Sequence, residues 1–156
     1  MAQKRTWLDG PEIPGQNDYD APGKWPGEKL GLPEKGSGAL ASVGRRAMGV
    51  LIDWLLCLLL ASAVVRFTDA FGGTSTATFL FWVFLGIISG WLFARTPGMA
   101  VLGMGVARVD APGSTVGLWR AVLRTVFTSL IFPAAMVDAD GRGMHDRATG
   151  TAVIRS

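Results

Sequence analysis

AMGVLIDWLLCLLLASAVV, residues 47–65, decides the reading of this chain. The stretch is apolar or small throughout except for Asp53, with Arg45 and Arg46 at its head and Arg66 closing it. Its 19 residues, at a helical rise of ~1.5 Å each, nearly match the ~30 Å hydrocarbon core of a bilayer. Asp53 then lies about 10 Å beyond the arginines, inside the apolar slab and not at its rim. An ionised carboxylate there is costly unless it is paired, hydrated or protonated. A partner for Asp53 is therefore expected elsewhere in the chain.

A second segment follows. No charged residue occurs in residues 71–94, and TFLFWVFLGIISGWLFA supplies a helix that Arg95 ends. The Gly/Thr/Ser-rich connection from 66 to 77 is short, so the two helices are expected to form an antiparallel hairpin. A third apolar segment, 117–137, carries Arg120 and Arg124 in its first turns and Pro133 near its far end. That composition suits an interfacial or re-entrant helix, with a full crossing as the rival if the arginines snorkel to the headgroups. The expected helices are about 43–66, 77–95 and 117–137. GVARVD at 105–110 and TAVIR at 151–155 read as short strands. If they pair, the C-terminus shares a side with the loop after the second helix, and Asp146 and Arg46 can meet there.

The rest of the composition narrows the class. The 49% hydrophobic fraction is ordinary for a soluble protein, but it is concentrated in the segments above. Residues 1–38 are polar with recurrent Pro-Gly and Gly-Pro steps, which reads as a disordered arm ahead of a membrane domain at 39–156. Trp7, Tyr19, Trp25, Leu30 and Leu32 are unusual in such an arm and read as interfacial anchoring or loose packing ahead of a dedicated partner-binding motif. The arm lacks the apolar core of a signal peptide, so the first helix is expected to direct insertion. The lone Cys57 excludes an intrachain disulfide and reads as a buried, inert thiol. A net charge of +3, with its basic groups near the segment ends, suits an anionic membrane surface and not nucleic acid. Lys35, Arg45, Arg46, Arg95 and Arg108 flank the hairpin, whereas Arg66 is balanced by Asp69 in the connection. The positive-inside bias then puts both outer ends, and the N-terminus, in the cytoplasm.

At steps of three or four, Arg46, Gly49, Asp53, Cys57 and Ala61 form one stripe of small and polar residues, with Leu51, Leu55, Leu58 and Leu59 largely elsewhere. The second helix carries the GxxxG step Gly86–Gly90 with Ser89 beside it. Gly49, Gly86 and Gly90 are thus candidates for close packing between the two helices. Candidate partners for Asp53 are Arg46 and, from the third segment, Arg120 or Arg124. The resulting site is either a buried ion pair that docks the segments or a protonatable, cation-binding carboxylate on a transport path. The first is favoured because intramembrane charge pairs serve assembly as well as transport. Asp138, Asp140, Arg142, His145, Asp146 and Arg147 crowd together near the C-terminus. They match no metal motif and read as caps or headgroup contacts. With one histidine, no catalytic triad or comparable arrangement can be assembled.

These residues resemble the RDD family of small bacterial membrane proteins, named for an arginine and two aspartates. GRRAMGVLIDWLL is similar to its first-helix signature, with Arg46 and Asp53 as the arginine and first aspartate. Thr96-Pro97-Gly98 before VARVD resembles the loop after its second helix, departing at Met99, where many members have a basic residue. GMHDRATGTAVI resembles its C-terminal signature, with Asp146 as the second aspartate. The resemblance covers roughly residues 28–155.

The expectation is thus an all-α membrane protein: a transmembrane helix hairpin, a third interfacial, re-entrant or transmembrane helix, and a possible short two-stranded β element on the cytoplasmic side. Its functional or structural polar site comprises Arg46, Asp53, Asp146, Arg120 and Arg124, with no metal and no cofactor. Its expected setting is the lipid bilayer of a bacterial inner membrane, as a homo-oligomer or part of a larger complex, without nucleic acid. A structural or accessory role leads, an ion or proton exchanger component using Asp53 is the alternative, and an enzyme is ranked last.

Overall fold

Ser42 starts the first long helix: its extended backbone leaves the helical path and its hydroxyl accepts the Arg45 amide at 3.4 Å. The computed structural model describes residues 23–130 and 141–156. In chain order its elements are α1 (Val43–Val64), α2 (Thr74–Phe93), α3 (Pro97–Val101), β1 (Met104–Arg108), α4 (Leu118–Ser129), α5 (Met144–Ala148) and β2 (Thr151–Arg155). The protein is mostly helical, with one two-stranded antiparallel sheet. With 22 and 20 residues, α1 and α2 are long and apolar enough to cross a membrane.

The buried residues of α1 are Arg46, Gly49, Asp53, Cys57 and Ala61, the same stripe that helical periodicity picks out. Leu51, Leu55, Leu58 and Leu59 point outward, Leu59 at 71% exposure. Packing of α1 on α2 uses aromatic rings: Trp54 meets Trp82 edge to face at 6.1 Å between centroids, and Trp82 also stacks with Phe79. Trp82 is buried. Hydroxyls along the helices are satisfied internally, with Thr78 donating to the Thr74 carbonyl at 2.7 Å and Ser89 to that of Leu85.

The GxxxG face lies elsewhere than expected. A Cβ on Gly86 would sit 3.0 Å from the Thr125 hydroxyl and one on Gly90 3.5 Å from the Ala121 methyl. Both glycines therefore receive α4, not α1. Gly49 in turn faces Met104 and the backbone of Gly98 and Met99. Small residues permit a close approach without naming the neighbour; the aromatic ridge takes the α1–α2 contact and leaves the glycine face open to α4. The described part of the third segment is this 12-residue helix, about 18 Å long and shorter than a crossing. Residues 131–137 of that segment, and Asp138 and Asp140, lie outside the described residues.

Ala94 ends α2 in a left-handed conformation (φ 52°), and its carbonyl accepts the Val106 amide at 2.7 Å. That turn carries the chain straight into α3, whose Thr96 N-cap hydroxyl accepts the Met99 amide and whose first residue is Pro97. The two strand readings hold. β1 pairs antiparallel with β2, Met104 opposite Arg155 and Arg108 opposite Thr151. On the other edge of β2, the Gly38 and Ala41 amides donate to the Arg155 and Val153 carbonyls at 2.8 Å each, and Leu40 bridges Ile154. Met104 and Val153 with Ala41 form a small core beneath the sheet. Residues 1–22 of the expected arm lie outside the described residues. From Gly23 on, the arm forms turns and a 3-10 turn at Glu28–Leu30, with the Trp25 indole N–H donating to the Leu32 carbonyl at 3.0 Å.

Candidate functional site

Asp53 is 4% exposed, and its Oδ1 accepts the Gly98 backbone N–H at 2.7 Å. Gly98 is the second residue of α3, where helix geometry leaves an amide without an intrahelical acceptor. Asp53 thus caps α3 from another helix while Thr96 caps it locally. The crossing is tight: a Cβ on Gly98 would collide with the Gly49 carbonyl oxygen and lie 3.0 Å from the Asp53 carboxylate. Only glycine at 98 lets α3 cross α1 so closely. The expected partner of Asp53, an arginine, is replaced by a backbone amide. Gly98 was not singled out in the polar site by periodicity, although the Thr-Pro-Gly sequence carries its signal.

The arginines serve the second aspartate. Asp146 is fully buried in α5 and takes an ion pair from Arg46 Nη1 at 3.5 Å and another from Arg124 Nη1. Arg46 Nη2 also donates to the Gly141 carbonyl at 2.5 Å, and Arg124 Nη1 to the Thr151 hydroxyl at 2.6 Å. Arg142 closes the cluster, donating to the Thr151 carbonyl at 2.8 Å and the Asp146 carbonyl at 2.9 Å. His145 Nε2 stands 3.6 Å from Asp146. Burial alone would raise the Asp146 carboxyl; the charges of Arg124, His145 and Arg46 and the Arg124 hydrogen bond overcome it and hold the pKa below the ordinary 3.8.

Arg120 belongs to neither aspartate. It donates to Asp110 at 2.9 Å and to the Thr149 carbonyl at 2.9 Å, beside the two-pronged Arg108–Asp110 pair. The Arg108 hydrogen bonds, helped by both arginine charges, bring the Asp110 carboxyl down to about 2. This pair lies at the surface. The five expected site residues therefore divide into three places: Arg46, Arg124 and Asp146 together, Asp53 under α3, and Arg120 apart.

Helix α4 packs on α2 and α5, and α1 packs on α2 and α3. The space between α1 and α4 holds a cavity of about 410 Å³. Val50 of α1, Leu85 of α2 and Val106 of β1 contribute apolar wall, while Asp53, Arg46 and Arg124 bring charge to it. The Arg46–Asp146–Arg124 bridge thus ties together two helices whose facing sides are separated by a cavity. Among the described residues no three His, Cys, Asp or Glu side chains converge to hold a metal ion. Neither a protein-family model, nor a curated protein, nor a solved structure matches this chain.

Proposed function

We propose that the chain is an RDD-like integral membrane protein with two crossings, α1 and α2, that acts as a structural or accessory component of a membrane assembly. The observation that carries the role is the use of both aspartates as docking devices: Asp53 holds the α3 turn and Asp146 holds α1 to α4. Groups so engaged serve architecture. The membrane setting is supported by the outward faces of the helices, where Leu59, Phe84 and Phe93 are each at least two-thirds exposed. In water such a surface would be an association liability; in lipid it is the matching one. Arg45, Arg46, Arg95 and Arg108 gather at one end of the hairpin, against Arg66 and Asp69 at the other, which supports a bacterial inner-membrane protein with both ends cytoplasmic. A hairpin of two crossings is too small to enclose a path alone, so a homo-oligomer or a larger complex is its working form. Native mass spectrometry of protein released from membranes tests this. A discrete homo-oligomer or bound partner is expected, and monomer alone contradicts the reading.

One observation favours a second reading, a cation or proton exchanger component: Asp53 lines the cavity. In proteoliposomes that reading requires Asp53→Asn to abolish cation flux while the protein still assembles. Flux equal to that of the native protein excludes it.

A further inference from the structure

The cavity between α1 and α4 has a chemical polarity of its own. It lies between the first half of α1 and the second half of α2, which in an antiparallel hairpin is one end of the pair. It is walled by Val50, Trp82, Leu85 and Val106, and Gly86 and Gly90, which bring no side chains, also line it. At about 410 Å³ it falls within the roughly 300–1,000 Å³ of small-molecule sites.

Arg95 also lines this cavity. It follows α2 directly, is exposed, and makes no ion pair or hydrogen bond with another described residue. Every other arginine on the cavity wall is buried and bonded to protein: Arg46 and Arg124 hold Asp146. An exposed guanidinium beside an apolar recess, at the end of the hairpin where the basic residues gather, matches a ligand with an anionic head and an apolar tail. A guanidinium also presents the forked donors that suit a phosphate. An uncharged amphiphile would use the apolar wall and leave Arg95 without a counter-charge, and a zwitterionic phospholipid would bring its phosphate with a tethered cation that competes with Arg95 for it.

We propose that this cavity is a binding site for one anionic phospholipid, its phosphate on Arg95 and an acyl chain between α1 and α4. The inference rests on the membrane reading above. It assigns the cavity a structural lipid that completes the α1–α4 contact where the described side chains leave it open, beside the arginine–aspartate bridge. Because the lipid would fill space between elements, its removal loosens α4 and not the α1–α2 hairpin.

The test uses the full chain purified in a non-ionic detergent, with native mass spectrometry and thermal unfolding read together. Phosphatidylglycerol should be retained at one per chain and raise the unfolding temperature; phosphatidylcholine and inorganic phosphate should do neither. Arg95→Gln, at an exposed position, should weaken phosphatidylglycerol retention by about tenfold, the worth of one charge-assisted hydrogen bond. Val50→Phe should block the chain and abolish retention. Equal retention of phosphatidylcholine, or unchanged retention by Arg95→Gln, overturns the proposal. Phosphate stabilising the protein as strongly as the lipid, with Val50→Phe indifferent, makes the site one for a soluble anion and also overturns it. Alkaline extraction separates the two levels: a chain released from membranes by alkali sinks the membrane reading and this site with it. A chain that stays in the membrane but retains no phosphatidylglycerol sinks the lipid site alone.

Discussion

The Asp53 carboxylate and the Gly98 amide, 45 residues apart in the chain, meet at 2.7 Å. The bond turns the one charged residue of the apolar stretch 47–65 into a cap for the short helix that follows the hairpin. Its geometry needs an acceptor oxygen at 53 and no side chain at 98.

Asp53→Asn keeps an amide oxygen in place of the acceptor and should unfold within about 1 kcal/mol of the native protein. Asp53→Ala leaves the buried Gly98 amide without its partner and should cost about 1–3 kcal/mol. Thermal unfolding in detergent measures both. Equal losses for the two variants would show that the charge, and not the acceptor, is what matters.

Gly98→Ala puts a methyl into the Gly49 carbonyl and against the Asp53 carboxylate. Backbone cannot yield as a flexible side chain can, so α3 must lift from α1. The expected result is a loss of at least about 2 kcal/mol, with faster amide exchange at Met99 and Ala100. A variant of native stability would mean that the crossing is looser than this contact implies.

Asp146→Ala removes the carboxylate shared by two buried arginines. Breaking a buried pair by deleting one partner costs about 3–5 kcal/mol, so this variant should be the least stable of the set. The surface pair supplies the control: Asp110→Ala should change the unfolding temperature far less. Comparable losses at 110 and 146 would contradict the assignment of the bridge as the docking contact.

Acid should act through the same residue. The Asp146 pKa is depressed in the folded protein, so its contribution is present above the unfolded value near 3.8 and is lost as pH falls through the lower folded value. Stability attributable to Asp146 is then flat from neutrality down to about pH 5 and declines below pH 4. Subtracting the Asp146→Asn profile from the native one below pH 5, clear of the range in which the neighbouring His145 gains its proton, isolates this dependence; a difference that grows as the pH falls from 5 to 3 would reverse the sign of the shift.

Much of the hairpin was legible because its signals are local. The 3.6-residue period separates Arg46, Gly49, Asp53, Cys57 and Ala61 from the leucines, and the same five residues are the buried ones. The paired strands were marked by turn residues on either side. Partnerships were harder to read, because periodicity gives a face without its neighbour. The arginines near the same end of the hairpin as Asp53 invited a direct ion pair, but Asp53 finds a backbone amide, which no residue type announces. Gly86 and Gly90 read as a hairpin seam and instead receive Ala121 and Thr125, since Trp54 and Trp82 already occupy the seam. Arg46 and Asp146 lie 100 residues apart, and their meeting depends on β2 returning to β1.

That return is the centre of the account. β2 is hydrogen-bonded to β1 just after the hairpin and to residues 38–41 just before it, so the C-terminus lies at the same end of the hairpin as both, and on the proposed membrane reading all three share one face. Reporters active only in the cytoplasm or only in the periplasm, fused after Ser156 in one set of fusions and before Met1 in another, measure this directly. The account predicts cytoplasmic activity for both positions. A periplasmic Ser156 with a cytoplasmic N-terminus would break the sheet and separate Arg46 from Asp146, and would contradict it.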